Sequence, residues 1–193
     1  MNTIEAIAAR RSIRKFKDTP VPEEMIRTVL QAAIQAPSAK NRQPWRFVVV
    51  RGDKRAEMVR IMRQGIDYVE TLNIDGGVGS SRWTAAVMER APVTIFVFND
   101  ANEHTPGKLM WDEPGDVTDV QSIGATIQNM LLAAQDLGLG TLWICDVFYA
   151  YSELIAWLGE THQMIAAISL GYADESPAAR PRKPFDEVVR WLD

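Results

Sequence analysis

Val93-Thr94-Ile95-Phe96-Val97-Phe98 is an unbroken run of β-branched and aromatic residues, and it reads as a strand. On its C-terminal side, residues 99–116 are rich in Pro, Gly, Asp and Glu and read as a loop with little structure of its own. Val117 to Leu137 then carries the longest helical pattern. Val120, Gly124, Ile127, Leu131 and Ala134 mark one stripe, and Ile123, Ala125, Met130, Leu132 and Ala133 occupy much of the rest. A helix apolar on most faces is buried on most sides. In a chain of 193 residues, a subunit interface is a natural place for the surplus. Gly138-Leu139-Gly140 stops the helix, with glycine available for a left-handed turn. Thr141 to Cys145 reads as another strand, Tyr151 to Leu158 as a helix, and Met164 to Leu170 as a strand closed by Gly171.

On the N-terminal side of 93–98, residues 73–81 carry glycines and serines and read as a mobile loop. A helix holding Met58, Ile61 and Met62 precedes it, and Phe47-Val48-Val49-Val50 reads as a buried strand. Glu23 and Glu24 suit the first turn of a helix, where the macrodipole favours negative charge. Ile26, Val29, Leu30, Ala33 and Ile34 carry that helix to about Ala36, and Pro37 ends it. Thr3 is the expected N-cap of a short first helix. With no internal repeat and no linker, strands separated by helices imply one layered α/β-type unit over residues 1–193.

Composition narrows the function classes. Hydrophobic residues make up 47% and charged residues 24%, which is ordinary for a globular chain. The net charge of -4 gives no general support to nucleic-acid binding. One cysteine, Cys145, excludes an intrachain disulfide framework and fits a reducing cytoplasm. With two histidines and one cysteine, a usual structural zinc site is not expected, and no metal is assigned. No apolar run approaches the roughly 20 residues that span a bilayer, and the N-terminus lacks a signal-peptide pattern.

Three polar stretches could carry chemistry. Arg10-Arg11-Ser12-Ile13-Arg14-Lys15-Phe16 concentrates cations in an acidic chain. Guanidinium groups bind phosphate bidentately and the serine adds a donor; a solvated basic turn after a helix is the competing reading. Pro37-Ser38-Ala39-Lys40-Asn41-Arg42-Gln43-Pro44-Trp45 sets amide side chains ahead of a strand. Such groups suit a ring bearing C=O and N–H, or alternatively bond their own loop backbone. Arg180-Pro181-Arg182-Lys183-Pro184 is a basic, proline-held tail that either meets an anion or only solvates the chain end. No nucleophile elbow, P-loop or dinucleotide fingerprint is present.

In order, these elements resemble the nitroreductase family of FMN-dependent NAD(P)H oxidoreductases. Arg-x-Ser-x-Arg/Lys matches at Arg10, Ser12 and Arg14. Pro-Ser-x-x-Asn-x-Gln-Pro-Trp matches at Pro37, Ser38, Asn41, Gln43, Pro44 and Trp45. Arg/Lys-x-Arg-x-Pro matches at Arg180, Arg182 and Pro184. The resemblance implies an α+β fold with a central mixed sheet flanked by helices, in a homodimer whose interface shares two FMN sites. It implies that Arg10, Arg11, Ser12 and Arg14 hold the phosphate, ribityl chain and pyrimidine side of FMN. Pro37, Ser38, Ala39, Asn41 and Gln43 would belong to the same cofactor site, the loop coming from the other subunit. Arg180 and Arg182 would close on the phosphate. Trp143, Ile144 and Cys145 would lie at the strand end against the flavin; Cys145-Asp146 departs from the small or acidic residues many relatives carry there.

The activity so implied passes hydride from NAD(P)H through the flavin to an electron-poor acceptor, a nitroaromatic or quinone, on one shared face and hence with ping-pong kinetics. No side chain is expected to be an obligatory catalyst, and Arg14 is expected to stabilise negative charge on the flavin. The alternatives are another FMN enzyme on the same scaffold (a dehalogenase, an ene-reductase or a flavin-destroying oxygenase), or a flavin-binding or nucleic-acid-binding protein that is no enzyme. The resemblance implies a small-molecule acceptor as partner, neither nucleic acid nor membrane, and a cytoplasmic location.

Overall fold

The computed structural model describes residues 1–73, 77–103 and 114–192. Four strands form its sheet: β1 (Trp45–Arg51), β2 (Val93–Glu103), β3 (Gly140–Ile144) and β4 (His162–Gly171), in the order β1-β2-β4-β3. All three strand pairings are antiparallel. The sheet is thus antiparallel rather than mixed as expected; an isolated parallel bridge joins Ser12 to Thr141 on the β3 edge, outside the strands.

The helices are α1 (Thr3–Ala9), α2 (Glu23–Ala33), α3 (Lys54–Thr71), α4 (Ser81–Arg90), α5 (Pro114–Asp136), α6 (Tyr151–Leu158) and α7 (Phe185–Val188). Helices α3, α4 and α6 cover one face of the sheet and α2 and α5 the other. Phe96 and Phe98 of β2 point into a cluster with Met58, Met62 and Ile66 of α3, Met88 of α4 and Leu154 of α6. Ile95 and Val97 point the other way, against Ile26 and Val29 of α2 and Ile123, Ile127 and Met130 of α5. A strand buried on both faces has no polar side to show, so 93–98 reads as a continuous apolar run rather than an alternation.

Local differences from the sequence reading have physical causes. Asn2, not Thr3, caps α1: its side chain accepts from the Glu5 N–H while the Glu5 carboxylate accepts from the Asn2 N–H. Helix α2 stops at Ala33, so Ile34 to Ala36 lie in a turn ahead of Pro37. Strand β2 continues through residues expected to be loop, because Trp45 pairs with Asn99 and His162 with Glu103. Helix α5 begins at Pro114, and the rest of the expected 99–116 loop, including His104, lies outside the described residues. Of the expected 73–81 loop, residues 74–76 lie outside them too, and Ser81 opens α4, a helix the hydrophobic pattern did not reveal. Cys145 follows β3 rather than ending it.

Helix α5 presents to the core the Ile127, Leu131 and Ala134 part of the stripe its sequence marked, together with Ile123 and Met130 from beside it. Ile123, Ile127, Met130 and Ala134 are fully buried, whereas Val120 and Gly124 are only half-buried. A Cβ placed on Gly124 would meet nothing within 4 Å. Within one chain, then, the Gly124 side of α5 is left uncovered. Among the described residues no helix is long and apolar enough to cross a membrane.

Candidate active site

The chain leaves α1 through Arg10 and runs beside β3. The Ile13 N–H donates to the Thr141 carbonyl at 2.8 Å, and the Ile13 side chain is buried over Gly140. A Cβ on Gly140 would sit 2.7 Å from Ile13 Cγ1, so the missing side chain is what lets this segment lie so close to the strand. With Ile13 turned inward, Ser12 and Arg14 on either side of it face partly outward.

The other wall of the site comes from the end of the chain. Phe16 bridges to Ala173, the Asp174 N–H donates to the Lys15 carbonyl at 2.9 Å, and Glu175 Oε1 accepts from the N–H groups of Arg14 (2.5 Å) and Lys15 (3.1 Å). These bonds dock the tail beside the N-terminal segment. The result is a groove lined by Arg10, Arg11, Ser12 and Arg14 on one side and by Pro177 to Arg180 and Arg182 on the other. Its lining holds five arginines and no acid.

Those cations act on one another. Burial, then the neighbouring charges of Arg182 and Arg11, push the Arg10 guanidinium below its ordinary pKa. Several guanidinium groups already make local bonds. Arg11 Nη1 donates to the Ala8 and Arg10 carbonyls at 2.7 and 2.9 Å, Arg14 Nη1 to the Ser12 carbonyl at 3.1 Å, and Arg182 Nη1 to the Arg180 carbonyl at 3.1 Å. Carbonyl oxygens orient these groups without neutralising them. A bound dianion such as a phosphate ester would turn this repulsion into charge-assisted hydrogen bonds. The donor set therefore fits a phosphate-bearing cofactor.

Strand β3 leads from this groove to the next predicted group. Trp143 is exposed, Ile144 is buried and Cys145 is exposed at the strand's end. The Cys145 thiol is nonetheless partly desolvated by the surrounding chain, and this, with the Asp146 carboxylate adding to it, pushes its pKa up, which keeps it protonated near neutral pH. Asp146 Oδ2 accepts from Thr84 Oγ1 of α4 at 2.5 Å. The departure at Asp146 thus has a structural use: it ties the unpredicted helix to the strand end.

The loop carrying Pro37, Ser38, Ala39, Asn41 and Gln43 is not brought to the arginine groove. Ser38 Oγ accepts from the Gln43 N–H at 3.0 Å, and the Ala39 N–H donates to Ser122 Oγ at 3.4 Å. Arg42 pairs with the buried carboxylate of Asp119 at 2.7 Å. Lys40, Asn41 and Gln43 all have positive φ, of 53°, 54° and 51°. Three non-glycine residues in that region make a strained loop, held by its anchors to α5. Those anchors lie near Ser122, whereas Arg11 and Gln135 share a cleft near the far end of the same helix. At 1.5 Å rise per residue, the two places are about 20 Å apart along α5. Within one chain the predicted site is two half-sites.

Sequence reasoning missed Trp83, whose ring lies under the Arg14 guanidinium with the guanidinium carbon 5.4 Å from the ring centroid. Its signal was weak because α4 was not recognised as a helix. It also missed Glu175, an acid that acts here by holding backbone N–H groups.

Compared with known proteins, the chain belongs to the Nitroreductase family, whose profile matches residues 7–172. It is 48% identical over 211 residues to an NADH dehydrogenase of Thermus thermophilus, covering 96% of this chain and 94% of that one. It is 31% identical over 196 residues to an NADPH-flavin oxidoreductase of Vibrio harveyi, covering 97% of this chain and 72% of that one. Among solved structures, a nitroreductase-like chain from Desulfovibrio desulfuricans in complex with FMN superposes with a TM-score of 0.76 at 30% identity, covering 100% of this chain and 98% of that one.

Proposed function

We propose that residues 1–193 act as one FMN-binding domain of an oxidoreductase, carrying reducing equivalents from NAD(P)H to an electron-poor small molecule such as a nitroaromatic or quinone. The observation that carries this reading is the convergence of Arg10, Arg11, Ser12 and Arg14 with Arg180 and Arg182 in one groove free of acids, across some 170 residues of sequence. Family membership and the flavin-linked names of its relatives support it.

FMN, when bound, would supply the hydride chemistry; the chain's residues bind and orient it. Arg10, Arg11, Arg180 and Arg182 would hold the phosphate, with the Ser12 hydroxyl adding a donor. Arg14, turned away from Ile13 and stacked on Trp83, would place positive charge at the edge of the flavin ring. Trp143, Ile144 and Cys145 would border the ring from β3. No side chain here needs to act as a nucleophile, and the protonated Cys145 thiol fits that reading.

We further propose a homodimer in the cytoplasm. The 37–43 loop is too far along α5 to complete the groove of its own chain, so a second copy would bring Pro37, Ser38, Ala39, Asn41 and Gln43 to it. The uncovered Gly124 side of α5 gives that copy a surface on which to pack. The test is direct. The purified protein, titrated with FMN, should show a perturbed flavin spectrum at one FMN per chain and should turn over NADH or NADPH with a nitroaromatic or quinone. A protein that gains no flavin signal would overturn the reading.

A further inference from the structure

We infer that Trp83 is a positioning residue for Arg14, and through it sets the reduction potential of the bound flavin; this rests on the flavin reading above. Arg14 is fixed from three sides. Its N–H donates to Glu175 Oε1, its Nη1 donates to the Ser12 carbonyl, and its guanidinium lies over the Trp83 ring at 5.4 Å. The first two bonds fix the backbone and one nitrogen of the fork. Among the described residues it is the ring that supports the flat face of the guanidinium, and Trp83 is 53% exposed, so core packing does not account for its place.

What holds Trp83 there is visible in the same region. Its neighbour Thr84 donates from Oγ1 to Asp146 Oδ2, and Asp146 begins the turn that follows β3. Helix α4 is therefore registered against the strand end that borders the flavin, and Trp83 carries that register to Arg14. A guanidinium held in one place stabilises negative charge on a reduced cofactor without having to be oriented at that moment. A free one loses part of that advantage.

The test uses the FMN-loaded protein and reads the midpoint potential of the bound flavin in the wild type, Trp83→Ala, Trp83→Phe, Arg14→Ala and the Arg14→Ala/Trp83→Ala pair. Arg14→Ala should make the potential more negative. Trp83→Ala should move it the same way by less, a two- to fivefold change in relative affinity for reduced and oxidised flavin, as expected for an exposed cation–π contact. For a two-electron couple that corresponds to about 10–20 mV. Trp83→Phe should keep most of the wild-type value, and in the Arg14→Ala background Trp83→Ala should add nothing. An unchanged potential in Trp83→Ala, or an equal shift with and without Arg14, overturns the inference while leaving the flavin reading intact. Failure of the wild type to bind FMN overturns both.

Discussion

Gly140→Ala probes the contact on which the arginine groove rests. Gly140 does not have positive φ, so the substitution demands no forbidden backbone conformation. What it demands is space. The new Cβ would lie 2.7 Å from Ile13 Cγ1, 2.9 Å from its Cβ and 3.0 Å from its Cγ2. Ile13 is 6% exposed, and its N–H is already bonded to Thr141, so the side chain cannot simply swing away. Overpacking of this kind costs about 1–3 kcal/mol. Replacing glycine also stiffens the unfolded chain, which offsets about 0.4–1 kcal/mol. The net loss of about 0–2.6 kcal/mol, centred near about 1.3, should lower Tm by a few degrees at about 2–4 °C per kcal/mol for a chain of this size.

The more telling effect is on binding. Ser12 and Arg14 flank Ile13, so lifting Ile13 off β3 moves two groups of the groove together. FMN affinity, measured by flavin fluorescence quenching, should fall along with Tm. Ile13→Ala removes the two γ carbons that the new methyl would strike. The Gly140→Ala/Ile13→Ala pair should therefore be more stable than the sum of the two single changes, and a double-mutant cycle isolates that coupling. A Gly140→Ala protein with wild-type Tm and wild-type FMN affinity would refute the argument that this glycine seats the groove.

On the proposed reading, Arg182→Ala would remove a charge-assisted phosphate contact worth about 1.5–3 kcal/mol and should weaken FMN retention roughly ten- to a hundredfold, with the fold unchanged by circular dichroism. Gly65→Ala should destabilise by about 1–3 kcal/mol in chemical denaturation, because its Cβ would meet Ala150 Cβ and the Tyr149 carbonyl oxygen at 2.5 Å, and the backbone there has nowhere to yield. Glu160 gives a pH dependence. Burial pushes its carboxyl up, but hydrogen bonds from His162 and Arg46 outweigh that and hold it below its ordinary value. A group whose pKa is lower folded than unfolded stabilises the fold above the unfolded value, about 4.3, and loses that contribution as pH falls through the folded one. Thermal melts should therefore show stability falling below about pH 4.3, and Glu160→Gln should flatten that part of the profile.

The strands were legible because their residues have one task each. Phe47–Val50, Val93–Phe98 and Met164–Leu170 lie within the strands observed, and Tyr151–Leu158 matches α6 at both ends. Helix α4 was not legible, because Ser81-Arg82-Trp83-Thr84 opens with a buried serine and an exposed tryptophan, the reverse of an amphipathic pattern. Of the predicted site residues, the arginine cluster and the Arg180/Arg182 tail are brought together. Their closeness could not be deduced from hydrophobic periodicity, since it depends on Glu175 capturing the N–H groups of Arg14 and Lys15. Of the stripe marked on α5, Ile127, Leu131 and Ala134 are buried, while Val120 and Gly124 are half-buried and Ile123 and Met130 take the remaining core positions.

The way α5 is buried bears on the assembly. With Ile123, Ile127, Met130 and Ala134 inside, the helix turns Gly124, Ala125, Leu132 and Ala133 partly outward, a surface of small and apolar residues. Small residues let another backbone approach closely, and the 37–43 loop is anchored to the same helix through Ser122 and Asp119. A second copy packed on this side of α5 would thus meet the helix that carries the loop. Sedimentation of Gly124→Arg, which adds bulk and charge where one chain leaves open space, should show a monomer with near-native circular dichroism and lost FMN binding. A Gly124→Arg protein that stays monomeric yet binds FMN as the wild type does would show that one chain closes the site alone, against the roughly 20 Å that separates its two halves along α5.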